Sequence, residues 1–145
     1  MWGFIIAIIS GALMSIQGVF NTGVTKQTSI WVSASFVQLT AFVVCLGAWF
    51  ITDRGSSFAA LFKIDHKYML LGGALGAFIT FTVIKSVSTL GPAKANLLIV
   101  IAQIIVAYGI ELFGLFGIDR VEFEWRKAIG MALAVVGFVI FNSGR

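Results

Sequence analysis

The chain has 145 residues, of which 59% are hydrophobic and 11% are charged, and its formal net charge is +4. A soluble domain needs about a quarter of its residues charged to cover its surface, so this composition excludes that class and predicts a multi-pass membrane protein. The positive charge does not indicate nucleic acid binding, because the basic residues fall in short segments between apolar stretches.

Five apolar stretches approach or exceed the roughly 20 residues that a helix needs to cross a bilayer. We therefore predict an all-α fold, one domain of five transmembrane helices at about residues 2–22, 31–52, 68–90, 92–116 and 128–142. All four tryptophans fall near the ends of these stretches, as aromatic residues at a membrane–water interface do. The segment FAALF, between the second and third stretches, predicts a short helix lying at the interface.

The first predicted span carries its polar residues on one helical face. Gln17 and Asn21 are four residues apart on that face, so their side chains are neighbours. Two interpretations stay open: hydrogen bonds between helices, worth about 0.6 kcal/mol each, or contact with a ligand.

The third and fourth spans are predicted to form a tight hairpin, because Gly91 and Pro92 separate them with almost no loop. Gly72 and Gly76 predict close packing of the third span against another helix. Lys85 and Lys94 flank the hairpin, where they either extend to the lipid headgroups or face a substrate.

The fourth span is long enough to insert but contains Gln103 and Glu111. An ionisable side chain in a membrane is costly and is a candidate functional group, and Glu111 is the only carboxylate within an apolar stretch. It is therefore the principal candidate for binding a proton or substrate. A structural role stays open, since Glu111 lies roughly 12 Å along the helix from Gln103, toward the edge of the membrane. The secondary candidates are polar residues in or beside the spans: Lys85, Lys94, Gln38, Asn96 and Tyr108.

No pattern indicates an enzyme, a metal site or a cofactor. The only histidine, His66, lies in a polar segment without metal-ligand spacing or a nucleophile beside it. The only cysteine, Cys45, lies within an apolar stretch and excludes an intrachain disulfide.

The basic residues divide unevenly between the two sides of the predicted membrane topology. Six lie on the side of the N-terminus and four on the other, where Lys26 and Arg145 join the two hairpin lysines. The positive-inside rule then favours a cytoplasmic N-terminus in a bacterial inner membrane, and insertion in both orientations stays open.

Several motifs resemble one family, namely GALMSIQGVFNT at 11–22, GGxxG at 72–76, LGPAxA at 90–95 and AQIIVAYGIELFGLFG at 102–117. Together they resemble the short, single-repeat branch of the drug/metabolite transporter superfamily, whose five-helix chains are relatives of EamA-like transporters. The acidic position at 111 is more often aspartate in that family, and Gln38 stands where a small residue is usual. The resemblance implies that the chain is one half of a ten-helix EamA-like transporter.

The function implied is secondary active transport of small organic molecules, coupled to protons, by a dimer working through alternating access. An inverted partner, either a second copy or a homologous chain, would bring its Gln17 and Asn21 to the membrane depth of Glu111. The alternative is a non-transporting subunit or one half of a heterodimeric transporter. A carboxylate near phenylalanines suits a cation, whereas Lys85 and Lys94 suit an anion.

Overall fold

The computed structural model describes residues 1–143, and within them the long elements are all α-helices. They are α1 (Trp2–Gln27), α2 (Ile30–Thr52), α3 (Gly72–Leu90), α4 (Pro92–Phe113) and α5 (Trp125–Ser143). In the described chain these five helices are long and apolar enough to cross a membrane. The predicted all-α membrane fold is therefore confirmed. Arg145, which entered the comparison of basic residues, lies outside the described residues.

The connection between α1 and α2 is shorter than the apolar pattern predicts. The first apolar stretch ends near Thr22, but the helix continues to Gln27. Ser29 then begins α2 by accepting a hydrogen bond on Oγ from the backbone N–H of Val32, at 3.2 Å. This capping interaction allows the next helix to start after only two residues, because it satisfies an N–H group that the helix leaves unpaired.

The segment between α2 and α3 contains two short 3₁₀ helices, Phe58–Lys63 and Lys67–Leu71. The first covers the FAALF motif. It is attached to α2 through Trp49, whose Nε1 donates to the carbonyl oxygen of Ser56 at 2.9 Å and whose ring packs against Phe58. The second leads directly into α3.

The chain divides into two compact units, of which the first is Met1–Ser88. Small residues bring its helices together. A Cβ added at Gly18 would lie 3.5 Å from Val83, and one added at Gly76 would lie 3.2 Å from Nε2 of Gln38. Gly72, by contrast, has nothing within 4 Å of an added Cβ in the described chain. Gly76, and not Gly72, therefore makes room on α3 for a neighbouring side chain, the Gln38 carboxamide of α2.

The second unit begins at Thr89 and contains the packed pair α4 and α5. Helix α4 ends because Gly114 adopts a left-handed conformation, with φ of 61°. The loop that follows folds back on the helix end: the N–H of Val121 donates to the carbonyl oxygen of Glu111 at 3.0 Å, and Nε of Arg120 donates to that of Leu112 at 3.1 Å. These bonds place the end of α4 beside the start of α5.

Candidate functional site

A pocket of about 400 Å³ lies between α4 and α5, within the second unit. Most of its lining is apolar, and its charged members are one carboxylate and one ammonium group. The residues that line it are Ile101, Ile104, Ile105, Ala107, Tyr108, Glu111, Lys127, Gly130, Met131 and Ala134.

Glu111 is half-buried near the end of α4 and shares a helical face with Tyr108, three residues earlier. Ile104 and Ile101 continue that face toward the middle of the helix. Among residues 1–143 no side chain makes an ion pair within 4.0 Å of the Glu111 carboxylate or a hydrogen bond to it. Glu111 therefore lines a largely apolar pocket without a hydrogen bond or close ion pair from a described side chain.

Tyr108 is the buried aromatic wall of the pocket, with 7% of its surface exposed. Its hydroxyl oxygen accepts a hydrogen bond from the backbone N–H of Glu124 at 2.8 Å. Its ring lies near that of Phe123, with centroids 6.4 Å apart. A buried tyrosine whose hydroxyl has a partner is held in one orientation, so the ring presents a fixed face to the pocket.

Lys127, in the first turn of α5, supplies the second charge. Its Nζ lies 3.0 Å from Oε1 of Glu124 and 5.3 Å from the centroid of the Tyr108 ring. The ammonium group is also attracted by the Glu111 carboxylate. A cation within about 6 Å of an aromatic face is stabilised by the electrons of the ring. Lys127 therefore connects the pocket's carboxylate, its aromatic wall and the adjoining loop.

Two of the four α5 residues that line the pocket are small. Gly130 and Ala134 line it, and a Cβ added at Gly130 would meet nothing within 4 Å in the described chain. Gly137, seven residues further along, lies on the same face but outside the lining. Gly130 and Ala134 thus leave space on the α5 side of the pocket.

Gln103 is exposed on α4 and does not line this pocket. Eight residues separate it from Glu111, which rotates it by roughly 80° around the helix. Lys94 and Asn96 lie at the other end of α4, and Lys94 is about 25 Å from Glu111 along the helix axis. Of the candidates on α4, the structure brings Glu111 and Tyr108 together and leaves these three elsewhere.

Gln17 and Asn21 belong to the first unit, where they line a groove of about 560 Å³ between α1 and α2. Asn21 is 7% exposed, and its backbone carbonyl accepts a hydrogen bond from Oγ of Ser33 at 3.0 Å. The groove therefore presents two carboxamides among apolar side chains. In the same unit Lys85 is exposed on α3.

The sequence pattern did not reveal Lys127 or Gly130 as pocket residues. From the sequence, Lys127 is only one of the six basic residues on the N-terminal side of the predicted topology. A signal was nevertheless present: in a helix hairpin the end of α4 and the start of α5 lie at one level, and residues 127, 130, 131 and 134 share one face.

The outer surfaces of the described helices are dominated by exposed apolar side chains, such as Phe4, Ile51 and Phe78. Such surfaces are stable in contact with lipid, so the chain is a multi-pass membrane protein in contact with the bilayer. Membrane-spanning helices with a carboxylate-containing pocket between them are features of the transporter class.

The chain belongs to the family described as "Putative inner membrane exporter, YdcZ", whose model matches residues 2–140. This is a family of the drug/metabolite transporter type, so the resemblance inferred from the motifs is confirmed. The protein is thus a multi-pass inner membrane transporter, and its family is not one of enzymes. No curated protein and no solved structure matches the chain.

Proposed function

We propose that the protein is a proton-coupled secondary exporter of small organic molecules, with Glu111 as the group that binds proton and substrate alternately. The observation that supports this role is the Glu111 carboxylate, half-buried in an apolar pocket without a direct bonding partner among the described residues. A carboxyl group in such a position can hold either a proton or a substrate group. If the two exclude each other, proton entry drives substrate release.

We propose further that the functional unit contains two chains, a second copy or a homologous partner in inverted orientation. Gln17 and Gln103 are exposed on the described chain although both lie well inside apolar spans. A carboxamide facing lipid lacks hydrogen-bond partners. One facing another helix or a water-filled cavity has them. A second chain would cover these groups and form an enclosed pathway that alternates its access to the two sides.

In this arrangement Gln103 and the groove containing Gln17 and Asn21 contribute polar groups to the pathway. In the predicted five-span topology the carboxamides of an inverted partner would lie at the membrane depth of Glu111, so the proposed site is shared by the two chains. Lys85, Lys94, Asn96 and Gln38 are secondary candidates, and Gln38 has a packing role beside Gly76.

Transport is tested with the purified chain in liposomes. With a pH gradient imposed, solid-supported-membrane currents are measured for benzyltrimethylammonium, phenylpropionate, zwitterionic phenylalanine and benzyl alcohol. We expect a substrate-dependent current with at least one probe, absent from protein-free liposomes and abolished by dissipating the gradient. Silence with all four probes would contradict transport of this class by the chain alone and favour a non-transporting subunit.

The inverted assembly is tested with single cysteines in a Cys45→Ser background. Gly3 lies near the start of α1 and Asn142 near the end of α5. In the predicted five-span topology, cysteines introduced at these positions lie on opposite sides of the membrane. In liposomes containing both variants, a short thiol crosslinker is expected to join position 3 of one chain to position 142 of another. Efficient joining of position 3 to position 3 would instead demonstrate a parallel pair and reject the inverted model.

A further inference from the structure

We propose that Lys127 is an internal cation that competes with an organic cation for the subsite formed by Glu111 and Tyr108. This inference rests on the proposed function and gives it a substrate class: a monovalent organic cation with an apolar body. Lys127 would then set the affinity of the site by occupying it when substrate is absent.

The charges around the pocket favour a cation as the substrate. Lys127 already has a carboxylate partner, because its Nζ lies 3.0 Å from Glu124. Glu111 has no ion pair that short within residues 1–143. Together the Lys127 ammonium and the Glu124 and Glu111 carboxylates carry one unpaired negative charge. A cationic substrate neutralises that charge, whereas the negative group of an anion or zwitterion would need Lys127, which is already paired with Glu124.

The uncharged lining accommodates an apolar substrate body. Ile104 and Ile105 of α4 face Met131 of α5 across the pocket, and methionine adapts readily to differently shaped apolar groups. A ligand with its cationic end at Glu111 would place its apolar end among these side chains.

Lys127 stands where the cationic end of such a ligand would be stabilised. Its ammonium group is 5.3 Å from the Tyr108 ring centroid and is attracted by Glu111. Two cations sharing this small space repel each other, so substrate entry requires the lysine to withdraw. Its side chain is 43% exposed, and its flexible stem allows the ammonium to turn outward while it keeps Glu124 as partner.

The competition gives two substitutions opposite effects on binding. The probe is benzyltrimethylammonium, measured by titration calorimetry with the full chain in lipid nanodiscs. Lys127→Met removes the competitor and is expected to bind the probe about tenfold more tightly. Glu124→Gln removes the outer partner of Lys127. The ammonium group then stays in the pocket, and binding of the probe is expected to weaken. The matched controls Arg126→Met and Glu122→Gln change charge by the same amounts at exposed neighbouring positions outside the pocket lining.

A double variant separates competition from a simple change of charge. In the Lys127→Met background, adding Glu124→Gln is expected to change probe binding no more than Glu122→Gln does. The reason is that Glu124 acts on binding through Lys127. Weaker binding in Lys127→Met, or equal effects in the Arg126→Met control, would overturn the inference. If Lys127→Met does not fold, unchanged or tighter binding in Glu124→Gln overturns it.

Glu111→Gln distinguishes failure of this inference from failure of the proposed function. Loss of probe binding in Glu111→Gln with no effect of Lys127→Met would remove only the competitor role. Undiminished binding in Glu111→Gln would remove Glu111 from the site and the proposed function with it.

Discussion

Replacing Glu111 by glutamine is expected to reduce pH-gradient-driven uptake to the level of empty liposomes while the protein remains folded. Glutamine keeps the shape of the side chain but cannot take up or release a proton at neutral pH. Little stability should be lost, because no side chain of residues 1–143 is hydrogen-bonded to the Glu111 carboxylate or paired with it within 4.0 Å. The measurement is uptake of benzyltrimethylammonium with and without the gradient, together with the thermal unfolding temperature in detergent.

The control for this substitution is Glu122→Gln, which removes a carboxylate from the exposed loop before α5. It is expected to leave driven uptake unchanged, because Glu122 does not line the pocket between α4 and α5. Unchanged driven uptake in Glu111→Gln would exclude this residue from coupling. A large fall in unfolding temperature would instead support the interpretation of Glu111 as a structural anchor near the headgroups.

The five helices were predictable because a helix must be apolar over about 20 residues to cross a bilayer. Apolar length identifies the helices, and Gly91-Pro92 marks the break between α3 and α4. The end of α1 was less predictable. Hydropathy falls after Thr22, but Thr25 and Lys26 do not break a helix, so α1 continues until the Ser29 cap of α2.

The candidate site was predictable on α4 and unpredictable on α5. Glu111 stands out because a carboxylate is expensive in an apolar stretch, and Tyr108 lies one turn before it. The contribution of Lys127 depends on the register between two helices. That register follows from loop contacts, such as the bond from Val121 to the Glu111 carbonyl and the bond from Glu124 to Tyr108. Such contacts leave no periodic pattern in the sequence.

The second large effect is expected from filling the pocket through α5. In Gly130→Phe the new ring enters open space, since a Cβ added at Gly130 meets nothing within 4 Å in the described part of the chain. The ring would occupy the volume that a substrate's apolar body needs. Burying one benzyl group contributes about 2 kcal/mol, so losing that burial should weaken benzyltrimethylammonium binding about thirtyfold. Titration calorimetry in nanodiscs measures the change.

Gly137→Phe is the matched control, because Gly137 lies two turns along the same face of α5, has equally open surroundings in the described chain and does not line the pocket. Both substitutions replace a helical glycine with the same side chain, so their effects on helix propensity are alike. A loss confined to Gly130→Phe would place the apolar end of the ligand against α5. Equal losses in both variants would point to a general change at this face, and undiminished binding in Gly130→Phe would show that the ligand lies outside the pocket between α4 and α5.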